Sequence, residues 1–298
     1  MYELDRTTRR LSVYGLTRLD LADPLKVMLG GSWTHAESEG TSYGTPQNYD
    51  RKKFVPFVGA TLALTPAVNA YASYAKIFNP QTIADARNVL FPPIEGDNLE
   101  AGLKGEWFGG RLYASAALFR VNQDNNAVQT GLNPTTFQAV YVLQDAKSEG
   151  VEFEFGGSPL PGLQATGGLT LLRLKLRDGS GGEARTFVPR NVGRLNVTYS
   201  PPSLPELKMG TSMQYQSRIY YDTADYYGAA TVTGANGRIE QGGYALVDLF
   251  GAYDLTEQVR LGVNVRNITN EKYLNSLTFS QSYYGAPRTV LGTVTVRY

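Results

Sequence analysis

Residues 259–266 read Val-Arg-Leu-Gly-Val-Asn-Val-Arg, and this stretch decides the fold class. Successive side chains of a β-strand point to opposite faces, so its four apolar residues share one face and its polar residues and glycine share the other. Such a strand meets an apolar medium on one side and water on the other. The alternation recurs along the chain, with no apolar run long enough for a membrane helix. The pattern predicts an all-β fold, a transmembrane antiparallel up-and-down β-barrel.

The composition of the 298-residue chain fits a barrel better than a packed globule. Charged residues make up only 18%, whereas glycine (32) and tyrosine (20) are plentiful, as expected of many strands and turns around a polar interior. Cysteine is absent, which excludes disulfides, thiol catalysis and thiolate metal sites. A formal net charge of +1 gives no reason to expect nucleic acid as a partner. The first residues lack a basic segment followed by an apolar stretch, so we expect no signal peptide there.

Two kinds of interruption alternate along the chain. Short turns rich in Pro, Gly and Asp occur near residues 21–24, 65–67, 108–110, 158–162, 201–205 and 254–257, and longer polar stretches lie near 38–50, 79–96, 125–137, 177–187, 219–240 and 271–284. The segments between them are about 10 to 15 residues long, enough for a tilted strand to cross a bilayer. Short turns at one end and long loops at the other are typical of outer-membrane barrels. A soluble β-sandwich also alternates, but it does not require this asymmetry.

The number and direction of the strands predict an incomplete barrel. We count about 13 strands, whereas single-chain bacterial barrels have an even number. The first strand runs into the short turn at Asp23-Pro24, so it begins on the side of the long loops. We therefore expect this chain to be the C-terminal portion of a larger barrel. A cation facing the middle of the bilayer costs about 2–4 kcal/mol, so Lys208, Arg260 and Arg266 are expected to face the lumen.

Several segments, in this order, carry a resemblance to a known family. Residues 71–81 read Tyr-Ala-Ser-Tyr-Ala-Lys-Ile-Phe-Asn-Pro-Gln, residues 100–105 read Glu-Ala-Gly-Leu-Lys-Gly, and residues 146–153 read Ala-Lys-Ser-Glu-Gly-Val-Glu-Phe. The closing part has Asn-Val-Arg-Asn-Ile-Thr-Asn-Glu-Lys-Tyr at 264–273 and Gly-Ala-Pro-Arg-Thr-Val at 285–290. Together they resemble the second half of the β-barrel of a TonB-dependent siderophore receptor.

The resemblance implies a barrel of about 22 strands in the outer membrane, filled by an N-terminal plug. It implies uptake of a ferric siderophore, which is a transported ligand rather than a cofactor, driven by the TonB complex. Outer-membrane lipid is the further expected partner. Residues 1–298 would be the C-terminal portion of that barrel, with the plug, the TonB-contacting segment and the earlier strands absent. The alternative is a self-contained outer-membrane porin or adhesin-like barrel.

The resemblance also implies that ligand is held in an aromatic and polar pocket under the extracellular loops. Tyrosine would suit a hydroxamate or catecholate ligand through stacking and phenol hydrogen bonds, and an anionic ferric complex would favour the arginines. The alternative is that the tyrosines simply pack the loops together. Three clusters of candidate ligand-binding residues follow: Arg218, Tyr220, Tyr221, Tyr226, Tyr227 and Arg238; Phe279, Tyr283 and Tyr284; and Arg87 with Phe91.

Other polar residues suggest no chemistry of their own. His35 is the only histidine, followed by Glu37 and Glu39, and we interpret it as a rim residue. An outer-membrane hydrolase would have to be built around it. Glu152 and Glu154 alternate onto one face and are expected to line the lumen. We predict no catalytic residues, no metal site and no enzymatic activity.

Overall fold

The computed structural model describes residues 4–42, 44–133, 138–222, 238–275, 277 and 283–297, and they form an all-strand fold. The described residues contain no helix that is both long and apolar enough to cross a membrane. The strands are β1 (Leu4–Ala22), β2 (Leu25–Ser42), β3 (Thr45–Pro46), β4 (Tyr49–Ala63), β5 (Val68–Asn79), β6 (Ile94–Trp107), β7 (Leu112–Leu132), β8 (Ala139–Gly157), β9 (Leu163–Leu176), β10 (Asn191–Tyr199), β11 (Leu207–Gln216), β12 (Ile219–Asp222), β13 (Arg238–Gln241), β14 (Tyr244–Asp254), β15 (Val259–Arg266) and β16 (Thr289–Val296).

One antiparallel sheet contains most of these strands. Its path runs β1-β2-β4-β5-β6-β7-β8-β9-β10-β11-β14-β15-β16, with β3 attached beside β2, while β12 and β13 form a separate hairpin. Thirteen strands therefore make the continuous up-and-down path, which confirms the predicted number. Within the described residues β1 pairs only with β2 and β16 only with β15, so both outermost strands keep an unpaired edge. The sheet matches part of a barrel.

The strand register confirms the predicted alternation of faces. In β8 and β9, Val151 lies opposite Leu171 on one face, and Glu152 lies opposite Thr170 on the other. We call the apolar face the outer face and the polar face the inner face. Arg260, opposite Asp254 and Thr295, lies on the inner face. Lys208 and Arg266 also occupy inner-face positions, as expected for cations kept out of lipid.

The alternation of short turns and long connections is also confirmed, but two predicted loops are wrong in length. In the predicted loop 38–50, β2 continues to Ser42 and β4 already begins at Tyr49. In the predicted loop 125–137, β7 continues to Leu132. Outside the membrane both faces of a strand meet water, so the apolar alternation fades from the sequence. The backbone hydrogen bonds of the ladder still satisfy the main chain there, and the strands continue.

The long connections that remain at this end are residues 80–93, 177–190, 217–243 and 267–288, with the β12–β13 hairpin inside the third. The connection 177–190 is fixed to the sheet by a small apolar cluster. Ala146 on β8, Leu174 on β9 and Ala184 in the connection are all buried, with Leu172 and Leu176 packed against them. This cluster positions the neighbouring polar residues of the connection beside the hairpin.

Candidate ligand-binding loops

The β12–β13 hairpin brings together four of the predicted site residues. Tyr220 pairs with Glu240, and Asp222 pairs with Arg238. The side chains of these two pairs share one face of the hairpin with the predicted residue Arg218. Alternation puts Tyr221 on the opposite face. The family resemblance and the tyrosine-rich loop predicted this group, and the backbone pairing supplies the reason that distant residues of one loop meet.

Tyr220 lies at the centre of this face. The Arg238 guanidinium lies 4.0 Å from the centroid of its ring and the Arg218 guanidinium lies 5.7 Å away, both within cation–π range. Its hydroxyl donates to Glu183 Oε2 at 2.9 Å. Desolvation, and then the bond to Glu183, raise the pKa of the phenol, so it stays a neutral donor. One phenol thus joins two cations and a carboxylate.

Both arginines of the hairpin are already neutralised. Arg238 makes two bonds to Asp222, at 2.6 and 3.1 Å, and that carboxylate raises the pKa of the guanidinium. Arg218 forms a longer ion pair with Glu240 at 3.4 Å. An anionic ligand would therefore have to displace or share these carboxylates, and it would gain less than it would from a free cation.

The connection 177–190 supplies residues that the sequence analysis did not single out. Glu183 accepts the Tyr220 bond, and the Phe187 ring lies 6.0 Å from that of Tyr221. The amide of Tyr220 donates to the carbonyl of Thr186 at 3.1 Å. The guanidinium of Arg190 donates to three carbonyls of the same connection, with no carboxylate partner among the described residues. The sequence feature that could have identified this connection is the run Arg-Thr-Phe-Val-Pro-Arg at 185–190.

Among the described residues, one hydrogen bond joins the connection 267–288 to the hairpin. Leu274 N donates to Gln241 Oε1 at 2.7 Å, and Leu274 forms a β-bridge with Tyr284. Lys272 stacks over the Tyr284 ring at 4.4 Å. Tyr283 and Tyr284 are both exposed. The second predicted cluster therefore lies next to the first, on a connection tied to the same hairpin.

Arg87 and Phe91 form a separate group on the connection 80–93. Arg87 donates to Asp85 at 2.9 and 3.0 Å, and its own side chain is exposed. Phe91 is half-buried. Strands β7 to β10 lie between this connection and the hairpin in the sheet, and no contact joins the two groups among the described residues.

Three predicted site residues, Tyr226, Tyr227 and Phe279, lie outside the described residues. Of the described candidates, every arginine has a carboxylate partner, and the tyrosines divide between packing contacts and exposure. Whether any of these residues binds a ligand stays a prediction.

A recess of about 580 Å³ lies on the inner face of β7 to β10, below the connection 177–190. Glu152, Glu154, Arg190 and Arg194 contribute its charged lining. Thr170 donates to Glu152 at 3.0 Å. The two glutamates thus line the polar side of the sheet, as predicted.

His35 has partners that the sequence did not reveal. Its Nε2 lies 2.9 Å from Glu37 Oε1 and 2.9 Å from Asp50 Oδ1, and Lys52 Nζ lies 3.9 Å from Asp50. Strand pairing of β2 with β4 brings Asp50 opposite Glu37. These atoms could hold a metal ion by type and spacing, but a ring N–H shared between the two carboxylates accounts for the same geometry.

The chain matches a family model described as "TonB dependent receptor-like, beta-barrel" over residues 2–268. The ferripyoverdine receptor of Pseudomonas aeruginosa is 31% identical over 301 residues, which cover 97% of this chain and 35% of that protein. The ferrioxamine B receptor of Salmonella typhimurium is 29% identical over 239 residues, which cover 76% of this chain and 32% of that receptor. This chain therefore spans about a third of the length of the curated relatives it matches.

A comparison with solved structures agrees with the sequence comparison. The crystal structure of the ferripyoverdine receptor of the outer membrane of Pseudomonas aeruginosa bound to ferripyoverdine superimposes with a TM-score of 0.82 at 28% identity, covering 98% of this chain and 39% of that one. These relatives are named as receptors rather than enzymes, and the family is one of outer-membrane proteins. The chain belongs to the TonB-dependent receptor-like β-barrel family.

Proposed function

We propose that this chain forms wall and ligand-binding loops of an outer-membrane receptor that takes up a ferric siderophore with energy supplied through TonB. The observation that carries the proposal is the joined surface of the β12–β13 hairpin and its two neighbouring connections, where phenols and guanidinium groups stack together. The names of the relatives, receptors for ferripyoverdine and for ferrioxamine B, support the same ligand class.

We propose that residues 1–298 are the C-terminal portion of a larger barrel, and that the plug and the other strands are supplied by sequence outside them. Two observations support this. The unpaired edges of β1 and β16 would each leave backbone groups unsatisfied in hydrocarbon, at several kcal/mol per group. The relatives are also about three times as long as the part that this chain covers. On this proposal the chain by itself transports nothing.

The chemistry of the hairpin favours a ligand with both aromatic or amide planes and oxygen acceptors. Tyr220 offers a ring face and Arg238 offers a planar set of donors beside it. Their carboxylate partners reduce the gain from a bare anion, so a ferric complex with hydrogen-bonding groups suits the surface better than a simple anion does. Three of the relatives are named as receptors for ferric pyoverdines, so a ferric pyoverdine is the ligand to test first.

The test uses the natural outer-membrane polypeptide that carries this sequence, and begins with its intact mass. We expect a mass well above that of residues 1–298 and binding of a ferric pyoverdine, followed as quenching of the protein's tryptophan fluorescence by the ferric complex. Removing the Tyr220 hydroxyl with Tyr220→Phe should weaken binding up to about 10-fold, the value of one hydrogen bond. Arg238→Gln should weaken it more, because it removes the planar donors beside the Tyr220 ring and leaves the Asp222 carboxylate to repel an anionic complex.

The matched control is Tyr199→Phe, at an outer-face strand end next to a short turn. It should leave the affinity unchanged. Unchanged affinity in both hairpin variants would remove the hairpin from the site, and failure of the natural polypeptide to bind several ferric siderophores would overturn the proposed function.

The alternative of a self-contained porin or adhesin-like barrel needs β1 to pair with β16 or needs several copies to close a barrel together, and the sheet does not pair β1 with β16. A native polypeptide with the mass of this chain that conducts ions in planar bilayers would support the alternative. It would also remove the transport proposal.

A further inference from the structure

Four cations surround one carboxylate on the outer face of β7, β8 and β9. Glu149 Oε1 lies 2.7 Å from Arg120 Nε and 2.7 Å from Lys147 Nζ. Strand register places Arg173 opposite Glu149 and Lys175 opposite Lys147. We call these five residues the cationic cluster. One carboxylate cannot neutralise four cations, so the cluster keeps an excess of positive charge.

The excess resides on β9. Arg173 and Lys175 are exposed, and neither forms an ion pair among the described residues. Two other outward cations at this level are matched by acids. Arg177 pairs with Asp124, and Lys76 lies 3.7 Å from Asp97. The unmatched positive charge of the cluster is therefore not shared by these two neighbouring positions.

The cluster stands at the upper boundary of the apolar belt. A strand that rises about 3.4 Å per residue and tilts by about 40° climbs roughly 2.6 Å per residue along the membrane normal. Lys147 is ten residues from Gly157 at the short turn, so it lies roughly 26 Å above that end, and the apolar band of such barrels is about 25 Å tall. Directly below the cluster, Leu118, Val151 and Leu171 continue the outer face.

We propose that the cationic cluster binds the phosphate group of a membrane lipid in the outer leaflet. A phosphate at this height meets Arg173 and Lys175 without displacing a carboxylate, and the acyl chains of the same lipid lie on the apolar face below. Arg173 adds the paired donors that suit phosphate oxygens. The site is distinct from the ligand-binding loops, because it faces the lipid and not the lumen.

Native mass spectrometry of the natural polypeptide in an uncharged detergent tests this binding. The probes are lipid A, which carries two phosphates, its dephosphorylated form, and inorganic phosphate. Each cation near a phosphorylated lipid is worth roughly a fivefold change in affinity, so Arg173→Gln with Lys175→Gln should bind lipid A about 30-fold more weakly. The matched control, Lys26→Gln with Lys208→Gln, removes the same charge from the inner face and should bind normally.

Three results would overturn the proposal: equal lipid A affinity in the outer-face variant and the natural protein, equal affinity for the dephosphorylated lipid, or loss of lipid A affinity in the inner-face control. Competition by millimolar inorganic phosphate would also overturn it, because it would mark a free-anion site. If the double variant does not fold, Lys175→Gln alone is measured, with a loss of roughly fivefold expected. None of these outcomes depends on siderophore binding.

Discussion

Arginine on the outer face of β15 should destabilise the protein far more than arginine one residue along on the inner face. Val263 is 45% exposed and lies four residues above Val259, the first residue after the short turn. With a climb of roughly 2.6 Å per residue, Val263 stands about 10 Å into a band about 25 Å tall, close to its middle. Val263→Arg should therefore cost about 2–4 kcal/mol, a factor of about 30 to 700 in the unfolding equilibrium.

The matched variant is Asn264→Arg. Asn264 lies between Phe250 and Leu291 on the inner face, where Arg260 and Arg266 already stand, so it should cost less than about 1 kcal/mol. Val263→Leu controls for changes in packing at the outer site. The assay is reversible urea unfolding of the natural polypeptide in phospholipid vesicles, followed by tryptophan fluorescence. Equal costs for the two arginines, or a larger cost at Asn264, would refute the assignment of faces.

Three further expectations follow from the connections and turns. Gly162 has φ +75° and a Cβ there would collide with the carbonyl oxygen of Ser200, whereas Gly109 has φ +68° and open space around it. Gly162→Ala should therefore lower the free energy of unfolding by about 2 kcal/mol more than Gly109→Ala, measured by urea unfolding, and equal losses would contradict the collision. The amide of Val89, and then the Arg87 guanidinium, lower the pKa of Asp85, so the turn is stabilised above the unfolded pKa of about 4 and loses this as pH falls through the folded pKa. Hydrogen exchange at the Val89 amide should show that loss of protection. Asp85→Asn should give weaker protection without this titration, because a neutral amide oxygen still accepts the bond, and a natural protein whose protection did not change through the folded pKa would contradict the reasoning. Glu183→Gln should leave the Tyr220 hydroxyl bonded and lower the phenol pKa part of the way toward its ordinary value, because the carboxylate charge is removed while desolvation still raises the pKa. Ultraviolet titration measures the shift, and an unchanged titration would show that burial alone sets the pKa.

The alternation of apolar and polar residues predicted the barrel strands because every second residue of a strand faces the apolar side and is therefore apolar. Val259 to Val265 show it plainly, and the register confirms it. The predicted ends of β2 and β7 were wrong because strands outside the membrane have water on both faces, so their sequence shows no alternation of apolar and polar residues. Short turns were located well, since positive φ at Gly109 and Gly162 restricts those positions to few residue types.

The candidate site was only partly predictable. Tyr220 and Arg238 stood out by type, but Glu183 and Phe187 lie on another connection and carry no signal that ties them to the hairpin. Likewise the sequence placed Glu37 beside His35 but could not show that Asp50 crosses from the next strand. Contacts between connections depend on how far each chain segment folds back, which local patterns do not encode.

The sequence by itself determined the all-β class, the short and long ends, and the faces of the strands, because each depends on neighbours along the chain. Only the tertiary structure decided which groups meet across strands and connections. Arg120, Lys147 and Glu149 form one cluster with two residues of β9 because pairing aligns them at one height. Arg238 binds Asp222 instead of standing free because the hairpin closes there, and so the charge a ligand meets is set by the fold.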